Sequence, residues 1–483
     1  AEFWRDLPRS LDEPEPLSAA DIAFFLGAES SKDDAISRLS QAYTEIDDPL
    51  LKARFLHTVG SAFQRLGWSE NGVVTAMSES APEPEEKLKL QEAAFDILRE
   101  GMVASAEPKR GLPERTLRKD EIVWARSPVR LDVAGGWTDT PPYSLEHGGA
   151  VVNAAVDLNG QPPIQVFGRL SDEPHIILNS IDLGYSERVE DLDGLLDYQS
   201  PEGTFSIAKA ALALCGFSPE FHEWPADVSL SGMLERFGGG IELTTLCAVP
   251  KGSGLGTSSI LGATVLSAIN RMTGTQVTEQ DLFHQVLVLE QMLTTGGGWQ
   301  DQIGGVLGGL KLVTTEPGMV PDPVARWLPA ECLCPVQNGG CNLLYYTGIT
   351  RLAKNILHNV VGRYLDRDRD ARRTLANLKA ECQHIRDALE RRDREEFGAT
   401  VARVWELNKA LDPGSTNERV EELMRRIEPY ASGAKLLGAG GGGFLLVVCP
   451  DRATAARCRE DLESDPPNVL ARFFDFQGSW PIR

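Results

Sequence analysis

The chain has 483 residues, of which 42% are hydrophobic and 24% charged, a composition typical of globular proteins with two to four domains. The formal net charge of -22 argues against nucleic acid or an anionic membrane surface as a partner. No apolar run reaches the roughly 20 residues of a membrane helix, and the first residues do not resemble a signal peptide. The eight cysteines lack a Cys-x-x-Cys zinc spacing, which predicts reduced, buried thiols in a cytoplasmic protein.

The first 117 residues are predicted to form an all-helical segment. Asp48 and Pro49 are typical of a helix start, because a capping residue precedes a first-turn proline. An apolar residue then recurs at every fourth position, in Leu51, Phe55, Val59 and Phe63. A similar pattern runs from Leu88 to Met102, and neither stretch carries visible chemistry. We therefore interpret residues 1–117 as a helical linking domain.

From residue 118 onward, short β-like runs alternate with helices. Strands are predicted at residues 121–125, 150–156, 164–169, 175–178, 241–249, 309–314, 343–346, 444–448 and 472–477. Long charged helices are predicted at residues 355–366, 372–391, 396–411 and 419–430. Strands and helices that mix without a regular βαβ repeat predict an α+β fold rather than a doubly wound sheet. We divide this part into an N-terminal lobe, residues 118–335, and a C-terminal lobe, residues 336–483.

The segment from Pro250 to Ser259 joins a strand-like run to a helix-like run. Alternating glycines would let its backbone turn tightly against a ligand, and three hydroxyls fall at the helix start, where unpaired N–H groups favour an anion. The residues of this predicted phosphate loop are Gly252, Ser253, Gly254, Leu255, Gly256, Thr257, Ser258 and Ser259. The loop lacks the Gly-Lys-Ser/Thr ending of a Walker A loop and the third glycine of a dinucleotide fingerprint. An ordinary strand-to-helix loop is the alternative.

Three further segments are dense in glycine, at residues 127–139, 294–302 and 435–444. Each also holds charged or hydroxyl side chains. Any one of them could be a plain turn, but four such segments in one chain indicate a shared binding site.

Together these segments resemble the motifs of the GHMP kinases, the family of galactokinase, homoserine kinase, mevalonate kinase and phosphomevalonate kinase. Pro128, Arg130 and Asp139 match the first family motif, the phosphate loop matches the second, and Gly438–Gly443 match the third. The resemblance implies the GHMP kinase fold, with an N-lobe like ribosomal protein S5 domain 2 and a ferredoxin-like C-lobe, here preceded by an all-α segment. Residues 135–137, Gly-Gly-Trp, depart from the Gly-Glu-His of many members and are similar to the heptose-kinase and fucokinase branches.

The finer resemblance is to the fucokinase branch, which includes bifunctional enzymes with a GDP-fucose pyrophosphorylase. It covers about residues 120–480, through matches at residues 134–143, 158–163, 294–302, 344–350 and 405–412. It implies ATP-dependent phosphorylation of the anomeric hydroxyl of L-fucose, with Mg²⁺ as cofactor and with ATP and a sugar as small-molecule partners. A heptose-phosphate kinase of the same family and a non-catalytic sugar sensor are the alternatives. A fused pyrophosphorylase domain outside this sequence and a homo-oligomer are left open.

The catalytic, metal and nucleotide roles follow from this resemblance. Asp301 matches the aspartate that accepts or orients the proton of the anomeric hydroxyl, and Arg130 would offset the developing negative charge and keep Asp301 ionised. Ser258 and Glu290 match the hydroxyl and the carboxylate that hold Mg²⁺, while the phosphate loop would bind ATP. The alternatives are a surface carboxylate for Asp301, a structural salt bridge for Arg130, a helix cap for Ser258 and a solvated helix face for Glu290.

The sugar-binding roles fall on two of the glycine-dense segments and on the third family motif. Asp139 would hydrogen-bond to sugar hydroxyls, with an Asx turn as the alternative. Trp299 is interpreted as a wall of the sugar site or as a buried core residue. The remaining predicted sugar contacts are Gly297, Gly298, Gly441 and Gly442. The turn at Gly440–Gly443 is expected to support the other loops from behind rather than to contribute side chains.

Overall fold

The computed structural model describes residues 19–27, 32–66, 93–94, 97, 111–200, 203–250, 252–293, 297–318, 321–349 and 353–479. The chain divides into two compact units, one of Ala1–Ser105 with Leu357–Thr374 and one of Ala106–Ile356 with Leu375–Arg483. The predicted helix at Leu88–Met102 lies almost wholly outside the described residues. Residues 294–296 also lie outside them. The division into three domains at residues 117 and 335 stays a prediction.

The first unit contains helices α1 Ala19–Gly27, α2 Lys32–Thr44 and α3 Pro49–Leu66. Asp48 caps α3, because its Oδ1 accepts a hydrogen bond of 2.8 Å from the Leu51 N–H. The predicted apolar stripe faces the core of this unit: Phe55, Val59 and Phe63 are fully buried. The cap and the stripe therefore form as the sequence predicts.

The second unit holds the strands of the described chain. They are β1 Val123–Ser127, β2 Val129–Ala134, β3 Ala150–Leu158, β4 Ile164–Ser171, β5 Ile176–Ser180, β6 Tyr185–Val189, β7 Gly240–Cys247, β8 Leu310–Thr314, β9 Val324–Trp327, β10 Asn342–Tyr346, β11 Gly433–Leu436, β12 Phe444–Val448, β13 Arg472–Phe474 and β14 Phe476–Gly478. They form three sheets. The first has the order β1-β4-β7-β5-β6, the second joins β3 to β2, β8 and β14 with β9 at its edge, and the third has the order β11-β12-β10-β13.

The remaining described helices follow α3 in chain order. They are α4 Tyr143–His147, α5 Leu192–Leu196, α6 Ser206–Leu212, α7 Leu230–Phe237, α8 Thr257–Met272, α9 Glu279–Met292, α10 Gln300–Val306, α11 Pro335–Asn338, α12 Ala353–Leu365, α13 Arg369–Arg391, α14 Arg394–Leu411, α15 Glu418–Ile427 and α16 Arg452–Ser464. No helix in the described ranges is long and apolar enough to cross a membrane. Helices and sheets are thus mixed as predicted, and the α+β fold class is confirmed.

The first sheet positions the phosphate loop. Helix α8 packs against β1 and β4, and its core-facing residues belong to an extended apolar cluster. Strand β7 ends at Cys247 and α8 begins at Thr257. The phosphate loop is therefore held between a central strand and a buried helix, two elements that burial makes rigid.

Two sequence expectations about strands need correction. Residues 472–477 do not form one strand, because β13 pairs with β10 whereas β14 pairs with β3 in another sheet. The backbone changes sheets at Asp475, whose carbonyl accepts a 2.8 Å hydrogen bond from the Asn159 N–H. Strands β2, β6, β9 and β11 were not predicted, although apolar and charged residues do alternate in β2, where all six residues are buried.

Candidate active site

The phosphate loop turns through left-handed backbone, with φ of +76° at Gly254 and +70° at Gly256. A Cβ on Gly254 would overlap the carbonyl oxygen of Leu437, so this position accepts only glycine. Gly256 is the N-cap of α8, and among the described residues no side chain caps that helix start. The first N–H groups of α8 are therefore available to an anion.

The third glycine-rich motif lies directly behind the phosphate loop. A Cβ on Gly438 would lie 3.0 Å from the Cα of Gly254. The Phe444 N–H donates a 2.9 Å hydrogen bond to the carbonyl of Ser253. The motif thus supports the loop through backbone contacts and not through side chains.

The sugar-binding role of Gly441 and Gly442 stays a prediction. The Gly441 N–H donates a 2.5 Å hydrogen bond to the Ser415 carbonyl, and the Gly441 carbonyl accepts a 2.9 Å hydrogen bond from Asn417 Nδ2. A Cβ on Gly442 would overlap the carbonyl oxygen of Ile349. The backbone of Gly441 is therefore bound to Ser415 and Asn417, and Gly442 lies against Ile349.

Arg130 and Asp301 form an ion pair that joins a strand and a helix of the second unit. Arg130 is on β2 and Asp301 is in the first turn of α10. Arg130 Nε and Nη2 contact Asp301 Oδ1 at 2.8 and 2.6 Å, and Nη1 donates to the Gly254 carbonyl at 2.5 Å. Burial alone would lower the pKa of Arg130, but the charges of Asp301 and Asp132 outweigh it and raise that pKa. The guanidinium is therefore a permanent positive charge beside the loop.

The Arg130–Asp301 pair touches the phosphate loop directly. A Cβ on Gly256 would lie 3.0 Å from Asp301 Cγ and 3.1 Å from Arg130 Cγ. The side chain of Arg130 is only 4% exposed, whereas that of Asp301 is 29% exposed. The structure thus brings three distant sequence segments together and leaves one carboxylate accessible beside an anion site.

Asp139 is a second carboxylate of the site, and it is 5% exposed. Its Oδ2 accepts a 3.1 Å hydrogen bond from the Gln300 N–H, and a Cβ on Gly298 would overlap the same oxygen. Burial, reinforced by the charge of Asp301, raises the pKa of Asp139 to about 7. Gly298 therefore allows the backbone to reach a carboxyl group that changes charge near neutral pH.

Glu290 is the third carboxylate, on α9 and 7% exposed. Its Oε1 accepts a hydrogen bond from Ser259 Oγ, and a Cβ on Gly297 would overlap Oε2. Ser258, one residue earlier, is exposed at the start of α8. The described residues contain no group of three or more His, Cys, Asp or Glu side chains that could hold a metal alone. One carboxylate with nearby hydroxyls still fits Mg²⁺, which binds few protein oxygens and completes its shell with phosphates and water.

Trp299 lies in a small apolar cluster with Val151, Ile303 and Val313, and it is 2% exposed. This burial agrees with the alternative that Trp299 is a buried core residue. Among the described residues, its indole Nε1 has no hydrogen-bond partner. Its role as a sugar wall stays a prediction.

Sequence reasoning missed Asp132 and Lys435, which form a fully enclosed ion pair. Lys435 Nζ lies 2.8 Å from Asp132 Oδ2, and Gln300 Nε2 donates to Asp132 Oδ1 at 3.0 Å. Both residues stood inside recognised motifs, but nothing local marks them as partners because 303 positions separate them. Two charged residues in a short strand, Arg130 and Asp132 in β2, were the available signal, because a buried charge needs a partner.

Two family models match this chain, the GHMP kinases N terminal domain at residues 228–309 and the GHMP kinases C terminal domain at residues 385–468. A solved D-glycero-D-manno-heptose 1-phosphate kinase from Bacteroides thetaiotaomicron shares the fold, with a TM-score of 0.54 and 18% identity over 75% of this chain and 98% of that one. The chain thus matches both the N-terminal and the C-terminal domain of the GHMP kinases, and the resemblance seen in its motifs is confirmed.

Two curated relatives are more similar in sequence. The L-fucokinase/L-fucose-1-P guanylyltransferase of Bacteroides fragilis is 48% identical over 80% of this chain. The bifunctional fucokinase/GDP-fucose pyrophosphorylase of Arabidopsis thaliana is 36% identical over 70% of it. The matched regions span 40% and 30% of the lengths of these relatives.

Proposed function

We propose that this chain is a sugar 1-kinase that transfers the γ-phosphoryl group of ATP to the anomeric hydroxyl of L-fucose. The observation that carries the proposal is the Arg130–Asp301 pair, which lies against Gly256 of the phosphate loop. Phosphoryl transfer depends on positioning and charge stabilisation, and this arrangement offers both. The names of the two fucokinase relatives support the choice of sugar.

Asp301 is the group that would take the proton of the anomeric hydroxyl. Both contacts from Arg130 go to Oδ1, so Oδ2 is the oxygen that can face a sugar. Arg130 holds the Asp301 side chain through Oδ1 and would orient it for proton acceptance. The same guanidinium would stabilise negative charge on the transferring phosphoryl group.

ATP would place its phosphates in the phosphate loop, against the N–H groups at the start of α8. Glu290, with Ser258 or Ser259, would hold Mg²⁺ beside them. A bound Mg²⁺ ion would neutralise charge on the phosphates. The Ser259–Glu290 hydrogen bond would fix the carboxylate in place before the metal ion binds.

Asp139 would read the sugar through its hydroxyls. Arg130, a cation that acts on Asp139, is already paired with Asp301, and Lys435 is paired with Asp132. A heptose phosphate would bring a second phosphate that needs its own basic partners. The geometry therefore favours a neutral sugar such as L-fucose over a sugar phosphate.

The test is a turnover screen with ATP and Mg²⁺ in which L-fucose is compared with heptose 7-phosphate. We expect turnover of L-fucose and a product whose phosphorus couples to the anomeric proton in NMR spectra. Turnover of the heptose phosphate without turnover of L-fucose would favour the alternative kinase. Sugar binding without any turnover would favour the sensor, although Asp301, Glu290 and Ser258 are all retained.

The names of both fucokinase relatives pair the kinase with a second activity that acts in GDP-fucose metabolism. One of these names states L-fucose-1-P as the substrate of its guanylyltransferase. We therefore propose that the product of this chain is consumed by guanylyl transfer, by a fused domain or by a separate enzyme. The intact mass of the protein in its source cells distinguishes these two arrangements, and light scattering tests for a homo-oligomer.

A further inference from the structure

Four parts of the candidate site meet at one buried carboxylate, that of Asp132. It is 2% exposed and lies two residues beyond Arg130 on β2, so both side chains project from the same face of the strand. Its Oδ1 accepts from the Gln300 side chain, and Gln300 is the residue that precedes Asp301. A Cβ on Gly136 would lie 2.8 Å from Oδ2, so the segment that leads to Asp139 also packs on Asp132.

Lys435 holds this carboxylate from another sheet. Its side chain is fully buried, and Nζ lies 2.8 Å from both the carbonyl oxygen and the Oδ2 of Asp132. Lys435 is on β11, three residues before the Gly438 that packs on the phosphate loop. One ion pair therefore connects the helix start that bears Asp301, the strand that bears Arg130 and the support of the phosphate loop.

The pair is also an electrostatic unit of the site. Although burial works against ionisation, Lys435 first and Arg130 second hold the pKa of Asp132 below its usual value. The carboxylate is thus a permanent negative charge between two cations. With Lys435 removed, Arg130 would be drawn toward Asp132 as well as toward Asp301, since both carboxylates already act on it.

We propose that Asp132 and Lys435 are positioning residues, which set the distance between Arg130 and Asp301 and so control the rate of phosphoryl transfer. The inference deepens the proposed kinase activity and rests on it. Neither residue needs to touch ATP or the sugar. Their effect should therefore fall on kcat and leave the KM values for both substrates nearly unchanged.

The test uses Lys435→Met, Asp132→Asn and the double variant. Because a displacement of about 1 Å at a reacting centre can cost about 100-fold in rate, we expect each single variant to lose roughly that factor in kcat. The KM values for ATP and sugar should change less than about threefold. Each single variant should also melt at a lower temperature, because it leaves a buried charge or polar group without its partner.

The double variant separates positioning from stability. Replacing both partners removes the unpaired charge, so the melting temperature should recover, whereas kcat should stay low because β11 no longer holds residue 132 and Arg130 loses a neighbouring charge. Recovery of kcat together with the melting temperature would overturn the proposal. Arg426→Met is the matched control, since it breaks a C-lobe ion pair of 2.8 Å with Asp461 that lies outside the site.

A second measurement does not depend on the substrate. In a crystal structure of Lys435→Met, we expect the 2.6 Å contact between Arg130 Nη2 and Asp301 Oδ1 to lengthen or break. An unchanged contact would contradict the proposal even if activity fell. If the wild-type protein does not phosphorylate L-fucose, only the proposed function is overturned. The Arg130–Asp301 contact can still be compared between the wild type and Lys435→Met, and kcat can be measured with the sugar that the protein does accept.

Discussion

The end of β2 and the turn after it carry two buried carboxylates whose pKa values shift in opposite directions. Asp132 is 2% exposed and Asp139 is 5% exposed. The pKa of Asp132 lies below its usual value, because Lys435 and Arg130 outweigh the cost of burial. The pKa of Asp139 rises to about 7, because burial and the Asp301 charge act together on it. Burial alone therefore does not decide the charge of these groups, whereas the presence of a cation does.

The difference separates a structural carboxylate from one that can serve a ligand. The charge of Asp132 is already paired with Lys435, so this carboxylate has little to gain from an interaction with a substrate. Asp139 accepts a hydrogen bond from a backbone N–H, and within the described ranges it forms no ion pair. A sugar hydroxyl would add the donor that its ionised form lacks, which makes this carboxylate suited to substrate recognition.

The largest effect should come from Asp301→Asn, which removes the charge that acts on Asp139 but leaves the Asp132–Lys435 pair intact. We expect kcat to fall by about 10²–10⁴-fold, the usual contribution of a positioned proton acceptor. The melting temperature should fall as well, since the buried Arg130 guanidinium loses the charge of its partner. Steady-state kinetics and calorimetry on the same sample measure both quantities.

The same variant sharpens the comparison of the two buried carboxylates. Without the Asp301 charge, the pKa of Asp139 should move down from about 7, and the pH dependence of sugar binding should move with it. Full turnover by Asp301→Asn would refute the assignment of Asp301 as the proton acceptor. An unmoved pH dependence would show that Asp139 does not respond to Asp301.

An intermediate effect is expected at Glu290, a buried carboxylate that we propose binds the metal ion. Ser259→Ala removes its hydroxyl partner and should weaken Mg²⁺ activation by about 10–100-fold, as loss of a supporting group around a metal site does. Ser258→Ala should weaken it as well if Ser258 is a ligand. Turnover measured against free Mg²⁺ at saturating ATP gives both values.

Ser464→Ala is the control for the two serine variants, because this exposed hydroxyl on α16 only bonds to the Asp461 carbonyl. Its Mg²⁺ dependence should match that of the wild type. Equal Mg²⁺ dependence in Ser258→Ala, Ser259→Ala and the control would remove both serines from the metal site.

The fold class and the phosphate loop could be predicted because each has a local signature. Gly252, Gly254 and Gly256 alternate where the backbone must turn, and the hydroxyls follow at the helix start. The Asp132–Lys435 pair had no such signature, because only the folding of two sheets brings those residues together. The split of residues 472–477 between two sheets was equally hidden, since strand propensity does not specify which partner a strand finds.

The smallest effect concerns stability against pH, and it tests the contrast between Asp132 and Asp139 directly. A carboxyl whose folded pKa is raised stabilises the fold fully below its unfolded pKa of 3.8, and this contribution is lost as pH rises through about 7. The free energy of unfolding of the wild type should therefore fall, relative to that of Asp139→Asn, by up to about 1.4 kcal/mol per pH unit between pH 5 and 7. This range lies between the unfolded and the folded pKa of Asp139. Urea unfolding of both proteins across that range measures the slope.

Asp132→Asn provides the opposite case in the same experiment. A carboxyl whose folded pKa is lowered contributes stability above its unfolded pKa of 3.8, and this contribution is lost only as pH falls further. The stability difference between wild type and Asp132→Asn should therefore stay constant over the range in which the difference for Asp139→Asn changes. The opposite pKa shifts of Asp132 and Asp139 follow from the Lys435 charge beside Asp132. If the stability differences of the two variants change with pH at the same rate, Lys435 is not the cause that distinguishes these carboxylates.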